Sequence, residues 1–142
     1  MKFTVYGKPV AKGRPRFSNR GGFVRSYTPE NTINYENLVK LSYQTQVGNK
    51  KLDGMIYAEI IAYFPIPKST SKKNAELMRN YEIMHTKKPD CDNLAKSILD
   101  ALNGIAYDDD SQVCSLLVSK FYGDVARVEI ELGEIRNGEI FE

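Results

Sequence analysis

Five of the six aspartates between positions 90 and 110, with the one lysine among them, have the types and spacing for metal-assisted chemistry on phosphate. Asp90 and Asp92 stand two residues apart, Lys96 follows about one helical turn later, and a run of three aspartates occupies 108–110. Crowded carboxylates disfavour one another's ionised form unless a cation is bound among them. The pattern therefore predicts a site for a divalent metal ion.

A helix that begins near Asp90 would position these groups, because its sequence has a polar face and an apolar face. On a wheel of about 100° per residue, Lys96 and Asn103 lie within about 40° of Asp92. The opposite face carries the apolar side chains Leu94, Ile98 and Ala101. A turn after the helix lets the chain fold back, so we expect one or two carboxylates of the aspartate run beside Asp90 and Asp92.

The ligands of such a site are hard oxygen atoms, which Mg²⁺ and Mn²⁺ prefer. Two or three carboxylates, with water and a phosphate oxygen, would complete the octahedral shell of Mg²⁺. A bound ion activates water and polarises a phosphoryl group, and Lys96 can offset the charge that develops there. The residues thus predict phosphodiester hydrolysis, with Mg²⁺ or Mn²⁺ as the cofactor.

Simpler roles for the same residues remain open. Asp90 could be only a helix N-cap, the aspartate run a solvated turn, and Asp92 with Lys96 an ordinary ion pair on a helix. Asp100, one turn beyond Lys96, is expected only to hold that lysine in place. His85, the one histidine of the chain, is expected to be an exposed loop residue and not a catalytic base.

Length and composition bound the class of protein. The 142 residues fit a single domain spanning 1–142, and 42% apolar with 27% charged residues is typical of a soluble globular chain. No apolar run approaches the roughly 20 residues of a membrane span, so we expect a cytoplasmic protein without membrane contact. Cys91 and Cys114 are expected to be buried in a reducing compartment, and one histidine leaves too few ligands for zinc. No small-molecule organic cofactor is expected.

The order of elements predicts an α+β fold, a small mixed β-sheet packed with helices. Strands are expected at 2–6, 55–64, 113–122 and 126–132, with the last two joined as a hairpin at Gly123-Asp124. Helices are expected at 30–46, at 69–80 and from Asp90 onward. A long basic loop at about 8–27 and a polar C-terminal tail at about 133–142 complete the chain.

The N-terminal segment is built for polyanions. Between Met1 and Pro29 there are seven basic residues and no acidic one, with aromatic residues interleaved. This mixture is typical of surfaces that neutralise phosphates and pack against bases or sugars. The side chains assigned to nucleic-acid binding here are Lys8, Lys12, Arg14, Arg16 and Arg20.

Four sequence segments together closely resemble the RusA family of Holliday junction resolvases, phage- and prophage-borne endodeoxyribonucleases. They are VAKGRPRF in the basic loop, TPENTINYE at the first helix, KPDCDNLAKSILDALNG, and DDSQV. The similarity extends from about Gly7 to Leu132. Two departures are mild: Cys91 stands where a larger apolar residue is common, and there are three aspartates where two are usual.

The resemblance implies roles for individual residues. By matching motif, Asp90, Asp92 and Asp110 correspond to the catalytic and metal-binding aspartates, and Lys96 to the essential lysine. Asp109 corresponds to the neighbouring acid, an alternative metal ligand, and the extra Asp108 leaves open which of the three faces the metal. Further phosphate contacts are assigned to Lys72, Lys73, Lys87 and Lys88, and to Lys120, which matches a basic residue on the following strand.

Two functions from different classes follow. The first, implied by the resemblance, is a homodimeric, Mg²⁺-dependent endonuclease that makes paired nicks in branched DNA, a four-way junction, during recombination and repair. Two-fold symmetry of the enzyme suits the nearly two-fold junction. The alternative is a non-catalytic DNA-binding accessory protein of recombination on the same fold, whose acids serve only as caps and turns.

Overall fold

A mixed β-sheet with two helices packed on one face positions the residues singled out above. The computed structural model describes the backbone of residues 1–11, 16–18, 25–27 and 30–141, and the side chains of 1–11 and 34–140. A short 3₁₀ helix, Asp110–Gln112, precedes the strand that begins at Val113. The elements are β1 (Lys2–Tyr6), β2 (Arg16–Ser18), β3 (Arg25–Tyr27), α1 (Glu30–Gln46), β4 (Ile56–Pro65), α2 (Lys72–Arg79), α3 (Cys91–Ala101), β5 (Val113–Gly123), β6 (Arg127–Arg136) and β7 (Glu139–Phe141).

The main sheet has the strand order β1-β6-β4-β5, and β7 pairs with the far end of β6. Only β4 and β5 run parallel, whereas β6 is antiparallel to β1, β4 and β7. The hairpin predicted for β5 and β6 is wrong, because β4 lies between them. The sequence of β4, IYAEIIAYFP, is the richest in β-branched and aromatic residues, and a strand of that kind is stabilised by neighbours on both edges.

The core lies between the sheet and helices α1 and α3. Every second residue of β4, from Ile56 to Phe64, is buried, while those between face the other side of the sheet. The apolar face predicted for α3 is confirmed, since Leu94 and Ile98 are each 1% exposed. An α+β fold with a mixed sheet is therefore confirmed, and the start of α3 contacts the middle of β5, where Sγ of Cys91 lies 3.9 Å from the carbonyl oxygen of Val118.

Several local expectations were wrong. The predicted C-terminal tail instead continues β6 to Arg136 and adds β7. Within the predicted basic loop, β2 and β3 pair as an antiparallel ribbon. Cys91 and Cys114 are exposed, because one begins α3 and the other lies near the start of β5, where no described strand pairs with the outer edge. Of the helices that the structure describes, none combines the length and apolarity that a membrane span requires.

Candidate active site

Helix α3 presents its polar face as a stripe of three side chains. Asp92, Lys96 and Asp100 recur every four residues, so they follow one another along the same side of the helix. Asp92 and Lys96 are exposed, and Asp100 is partly covered. Eight residues of helix separate the two aspartates, which places their backbones about 12 Å apart along the axis.

The start of α3 leaves the carboxylate of Asp90 available for other work. Asp90 occupies the N-cap position with extended backbone, yet its side chain makes no capping hydrogen bond. Its backbone carbonyl accepts from the N–H of Leu94, 3.1 Å away. The N-terminal N–H groups and the helix dipole favour negative charge here. Asp90 is therefore not used as a side-chain cap.

The ion pair considered for Asp92 and Lys96 is absent: both residues are described, and they form no ion pair with each other. Neither Asp90 nor Asp92 makes an ion pair with any described residue. Carboxylates and an ammonium that are exposed and not engaged with one another can meet a ligand from solution. These three side chains therefore lack the structural roles that the simpler interpretation gave them.

The three consecutive aspartates have three different environments. Asp108 pairs with Lys51 at 2.5 Å and is largely exposed. Asp109 caps the 3₁₀ helix, its carboxylate accepting from the N–H of Ser111 at 3.0 Å, and this bonding holds its pKa below the usual value. Only Asp110 turns towards α3.

Asp110 meets the C-terminal half of the α3 stripe. Its backbone N–H donates to Oδ1 of Asn103 at 2.8 Å, and its carboxyl is hydrogen-bonded to that of Asp100. The bond to Asp100 is the largest cause of a raised pKa at Asp110, followed by burial and by the charges of Asp100 and Asp109. Two such carboxyls share a proton readily. Asp100, expected only to hold Lys96, thus belongs to the acidic group.

The described side chains do not form a preassembled metal site, since Asp110 meets Asp100 and not Asp90 or Asp92. Among the described residues, no three histidine, cysteine, aspartate or glutamate side chains lie close enough together to hold an ion. The donor chemistry nevertheless fits Mg²⁺, which keeps several waters and is commonly bound by one or two carboxylates plus substrate phosphate. Asp90, Asp92 and Asp110 stay the predicted ligands, with Asp109 the least suited because its carboxylate is engaged as a cap.

Two polar side chains position this region, a role that the sequence did not indicate for either of them. Gln112 accepts from the N–H groups of Asp108 and Asp109, each at 3.0 Å, and donates to the carbonyl of Gly54 at 3.0 Å. Asn103 fixes the backbone of Asp110 as described above. Asn103 lies in the segment KPDCDNLAKSILDALNG and Gln112 in DDSQV. Their hydrogen-bond partners depend on the turn after α3, and residue spacing alone does not predict those partners.

Lys120, assigned to DNA binding, holds the segment before α3 against β5. Its ammonium donates to the carbonyls of Lys87 at 2.7 Å and Pro89 at 2.9 Å. This ties β5 to the segment that precedes Asp90. Of the other assigned lysines, Lys72 and Lys73 are exposed at the start of α2.

Most of the basic-loop residues assigned to DNA binding lie outside the described part of the chain. Lys12, Arg14 and Arg20 lie outside the described residues, and Arg16 is described only as part of strand β2. Lys8, which precedes that region, is exposed and lines one cavity together with Lys87 and Lys88.

His85 is buried, so the expectation of an exposed loop residue was wrong. Its ring stacks on Phe64 with centroids 3.7 Å apart and contacts the edge of Tyr122 at 5.2 Å. Burial, and then the charges of Lys120, Lys87 and Lys8, lower the pKa of His85 to about 4. The imidazole is therefore neutral at physiological pH.

This shift predicts a pH-dependent stability. The pKa of His85 is about 4 in the folded chain and about 6.5 when unfolded, so the unfolded chain takes up the proton first. The free energy of unfolding should fall as pH drops from about 6.5 through 4. Imidazole proton NMR should show one titration midpoint near 4, and His85→Phe, which keeps the ring stack, should remove this part of the pH dependence. A midpoint near 6.5 would contradict the burial.

Comparison with known proteins adds two findings to this geometry. The family model described as endodeoxyribonuclease RusA matches residues 6–133, nearly the whole chain. The uncharacterised protein YqaN of Bacillus subtilis (strain 168) is 42% identical over 137 residues, which cover 95% of this chain and 96% of that protein. The range matched by the family model includes the α3 stripe, the aspartate run at 108–110 and Lys120 of β5.

Proposed function

Because the chain belongs to the RusA family of endodeoxyribonucleases, we propose that it is a Mg²⁺-dependent enzyme that resolves four-way DNA junctions. It hydrolyses phosphodiester bonds in two opposing strands, as recombination and repair require. The observation that carries the proposal is the α3 stripe, where Asp92 and Lys96 are exposed and not paired with each other, within a chain that matches a nuclease family. A protein that only bound DNA would gain little from carboxylates placed near phosphate.

The residues have separate roles in this proposal. Asp90, Asp92 and Asp110 would hold the metal ion, which would supply an activated water and Lewis-acid polarisation of the phosphate. Asp110 meets Asp100, about 12 Å along α3 from Asp92, so the three carboxylates would reach one ion only by moving towards each other. Lys96 offsets charge that develops on the scissile phosphate, since an ammonium on the same helix face as Asp92 reaches the same ligand. Asn103 and Gln112 hold the aspartate run in place, as their bonds to 108–110 support.

DNA binding is assigned to the basic residues around this face. The N-terminal run, with Lys8, Lys12, Arg14, Arg16 and Arg20, and the lysines Lys72, Lys73, Lys87 and Lys88 contact phosphates. Such contacts position the duplex arms without reading sequence. Lys120 contributes by bracing the segment before Asp90, as its two carbonyl bonds support.

A cleavage assay tests the proposal directly. A synthetic four-way junction, labelled on each strand in turn, is incubated with the protein in Mg²⁺, in Mn²⁺, or with EDTA. We expect symmetric nicks in opposing strands with either metal and none with EDTA, because a bound ion would activate the water that attacks the phosphate. Tight junction binding without any cleavage in either metal would instead support the non-catalytic accessory protein.

The basic loop yields a prediction about salt. Replacing Arg14 and Arg16 together by Ala should weaken junction binding and reduce the steepness of log K against log salt by about 2, since each lost phosphate contact removes about one unit. Binding titrations at several salt concentrations measure this. The matched control is Lys40→Ala with Lys50→Ala, which removes two cations on and just after α1. An equal change of slope in the control would mean that overall charge, and not the loop, binds DNA.

Homodimerisation is assigned to the first part of the outer edge of β5, because the 85–91 segment already contacts β5 at Val118 and Lys120. Residues 113–117, VCSLL, carry no charge, and Leu116 and Leu117 are 44% and 53% exposed. Exposed edge strands normally carry charges that prevent pairing with another chain. An uncharged, apolar edge beside the aspartate run is therefore suited to antiparallel pairing with the same edge of a second copy about a two-fold axis.

Disrupting that edge should separate the subunits. Leu117→Lys should give a monomer in analytical ultracentrifugation, because it places two like charges in a symmetric contact. On a plasmid with a cruciform, paired nicks give linear product, so the variant should accumulate nicked circles. Leu41→Lys, at a 60% exposed position of α1, is the matched control. A Leu117→Lys protein that stayed dimeric would overturn this interface.

A further inference from the structure

A cavity of about 300 Å³ lies beside the approach to α3. Three lysines line it, Lys8, Lys87 and Lys88, together with His85, Phe64, Tyr122 and the 65–67 turn. None of the described residues that line this cavity is acidic. None of the three lysines forms an ion pair with another described residue. Their ammonium groups therefore concentrate positive charge at one concave place.

The cavity also has a buried polar group without a partner. His85 is 8% exposed, and its Nδ1 atom is buried and makes no hydrogen bond within the described part of the chain. A buried polar atom left without a partner is costly, and an unfilled ligand site is one explanation. The ring cannot readily turn to find another partner, because it is held between Phe64 and Tyr122.

The charges around His85 favour an anion. The lowered pKa of its imidazole has burial as its first cause and the charges of Lys120, Lys87 and Lys8 as the next, so several cations act on one small region. By contrast, the larger cleft of about 880 Å³ between β4 and α2 is lined by acids as well as bases, Glu76 and Asp124 among them. Only the smaller cavity combines cations without acids and an unpartnered buried nitrogen.

We propose that this cavity binds one phosphodiester group of the DNA strand, next to the bond that is cut. The inference rests on the proposed function and deepens it by assigning His85, Lys8 and Lys87 to one built subsite. Lys87 and Lys88 precede Asp90 by three and two residues, and Lys120 clamps this segment to β5. A phosphate held here would therefore be fixed relative to the carboxylates at the start of α3.

Proton NMR of the imidazole tests the subsite, because His85 is the one histidine of the chain and its ring signals are unambiguous. Inorganic phosphate is titrated into the full chain in EDTA, with chloride at matched ionic strength as the reference. A second arm uses a single-stranded thymidine tetranucleotide. We expect saturable shifts of the His85 signals with phosphate and with the oligonucleotide, and none with chloride. Shifts that chloride reproduces, or no shifts, would overturn the subsite; a response to free phosphate alone would overturn its assignment to DNA.

Variants separate this subsite from charge in general and from catalysis. Lys8→Ala and Lys87→Ala should each weaken phosphate binding about tenfold, the effect expected for one charge-assisted hydrogen bond. Lys50→Ala, which removes a lysine remote from the cavity lining, should change it less than twofold. Asp92→Asn should keep the full His85 response although it cannot cut. If the wild-type protein cut no DNA yet showed the response, the nuclease proposal would fail while the subsite stood. Equal loss in all three lysine variants would overturn the subsite.

Discussion

Asp92→Asn is expected to lower junction cleavage in Mg²⁺ by at least about a thousandfold, because metal ligation supplies several kcal/mol of transition-state stabilisation. The substitution keeps the size and shape of the side chain and removes its charge. Asp92 is exposed in the first turn of α3 and carries no hydrogen bond or ion pair with described residues that the fold would lose. Thermal unfolding should therefore stay close to that of the wild-type protein.

Junction binding by Asp92→Asn should not decrease as cleavage does. In EDTA, a carboxylate that faces DNA repels phosphate, so its removal should leave affinity unchanged or increase it. Single-turnover cleavage and gel-shift titrations on the same junction separate the two effects. The matched control is Asp53→Asn, an exposed aspartate on the loop before β4, which should leave cleavage within about twofold of wild type. Robust cleavage by Asp92→Asn in Mg²⁺ would contradict the metal site.

Local patterns predicted the helices of this fold well. The apolar face of α3 could be predicted because its apolar residues recur with the helical period of 3.6 residues. The position of β4 between β5 and β6 did not follow, because strand order depends on contacts between segments far apart in the chain. Gly123-Asp124 does make a turn, but the strands that it joins pair with β4 and not with each other.

The candidate site, too, could be predicted only in part from the sequence. Asp90, Asp92 and Lys96 could be placed on one helix from their spacing alone. That Asp110 meets Asp100, while Asp108 meets Lys51, depends on how the chain folds back after α3.

The prediction that His85 is exposed was wrong because it relied on the local sequence alone. Its sequence neighbours, Met84 to Lys88, suggest an exposed loop. The residues that bury it, Phe64 and Tyr122, come from β4 and β5. Burial of one residue by two distant strands leaves no periodic signal in the sequence.

The aspartate run offers the second prediction of large effect, since its three members should behave differently. Asp110→Asn should lower cleavage by about a hundredfold or more, because it removes the carboxylate that faces α3. It should not destabilise the fold. The pKa of Asp110 is raised mainly by its bond to Asp100, so its ionised form is less stable in the folded chain than in the unfolded chain. An amide can donate to Asp100 without that charge, and the melting temperature should stay equal or rise.

Asp109→Ala should show the opposite signature. It removes the cap of the 3₁₀ helix, the bond from the N–H of Ser111, so the melting temperature should fall while cleavage declines only modestly. Asp108→Ala loses an exposed ion pair with Lys51 and should change neither quantity appreciably. Thermal melts and single-turnover cleavage on the three variants give the comparison. Loss of cleavage in Asp109→Ala without loss of stability, with Asp110→Asn still active, would exchange the roles of these neighbours and place Asp109 at the metal.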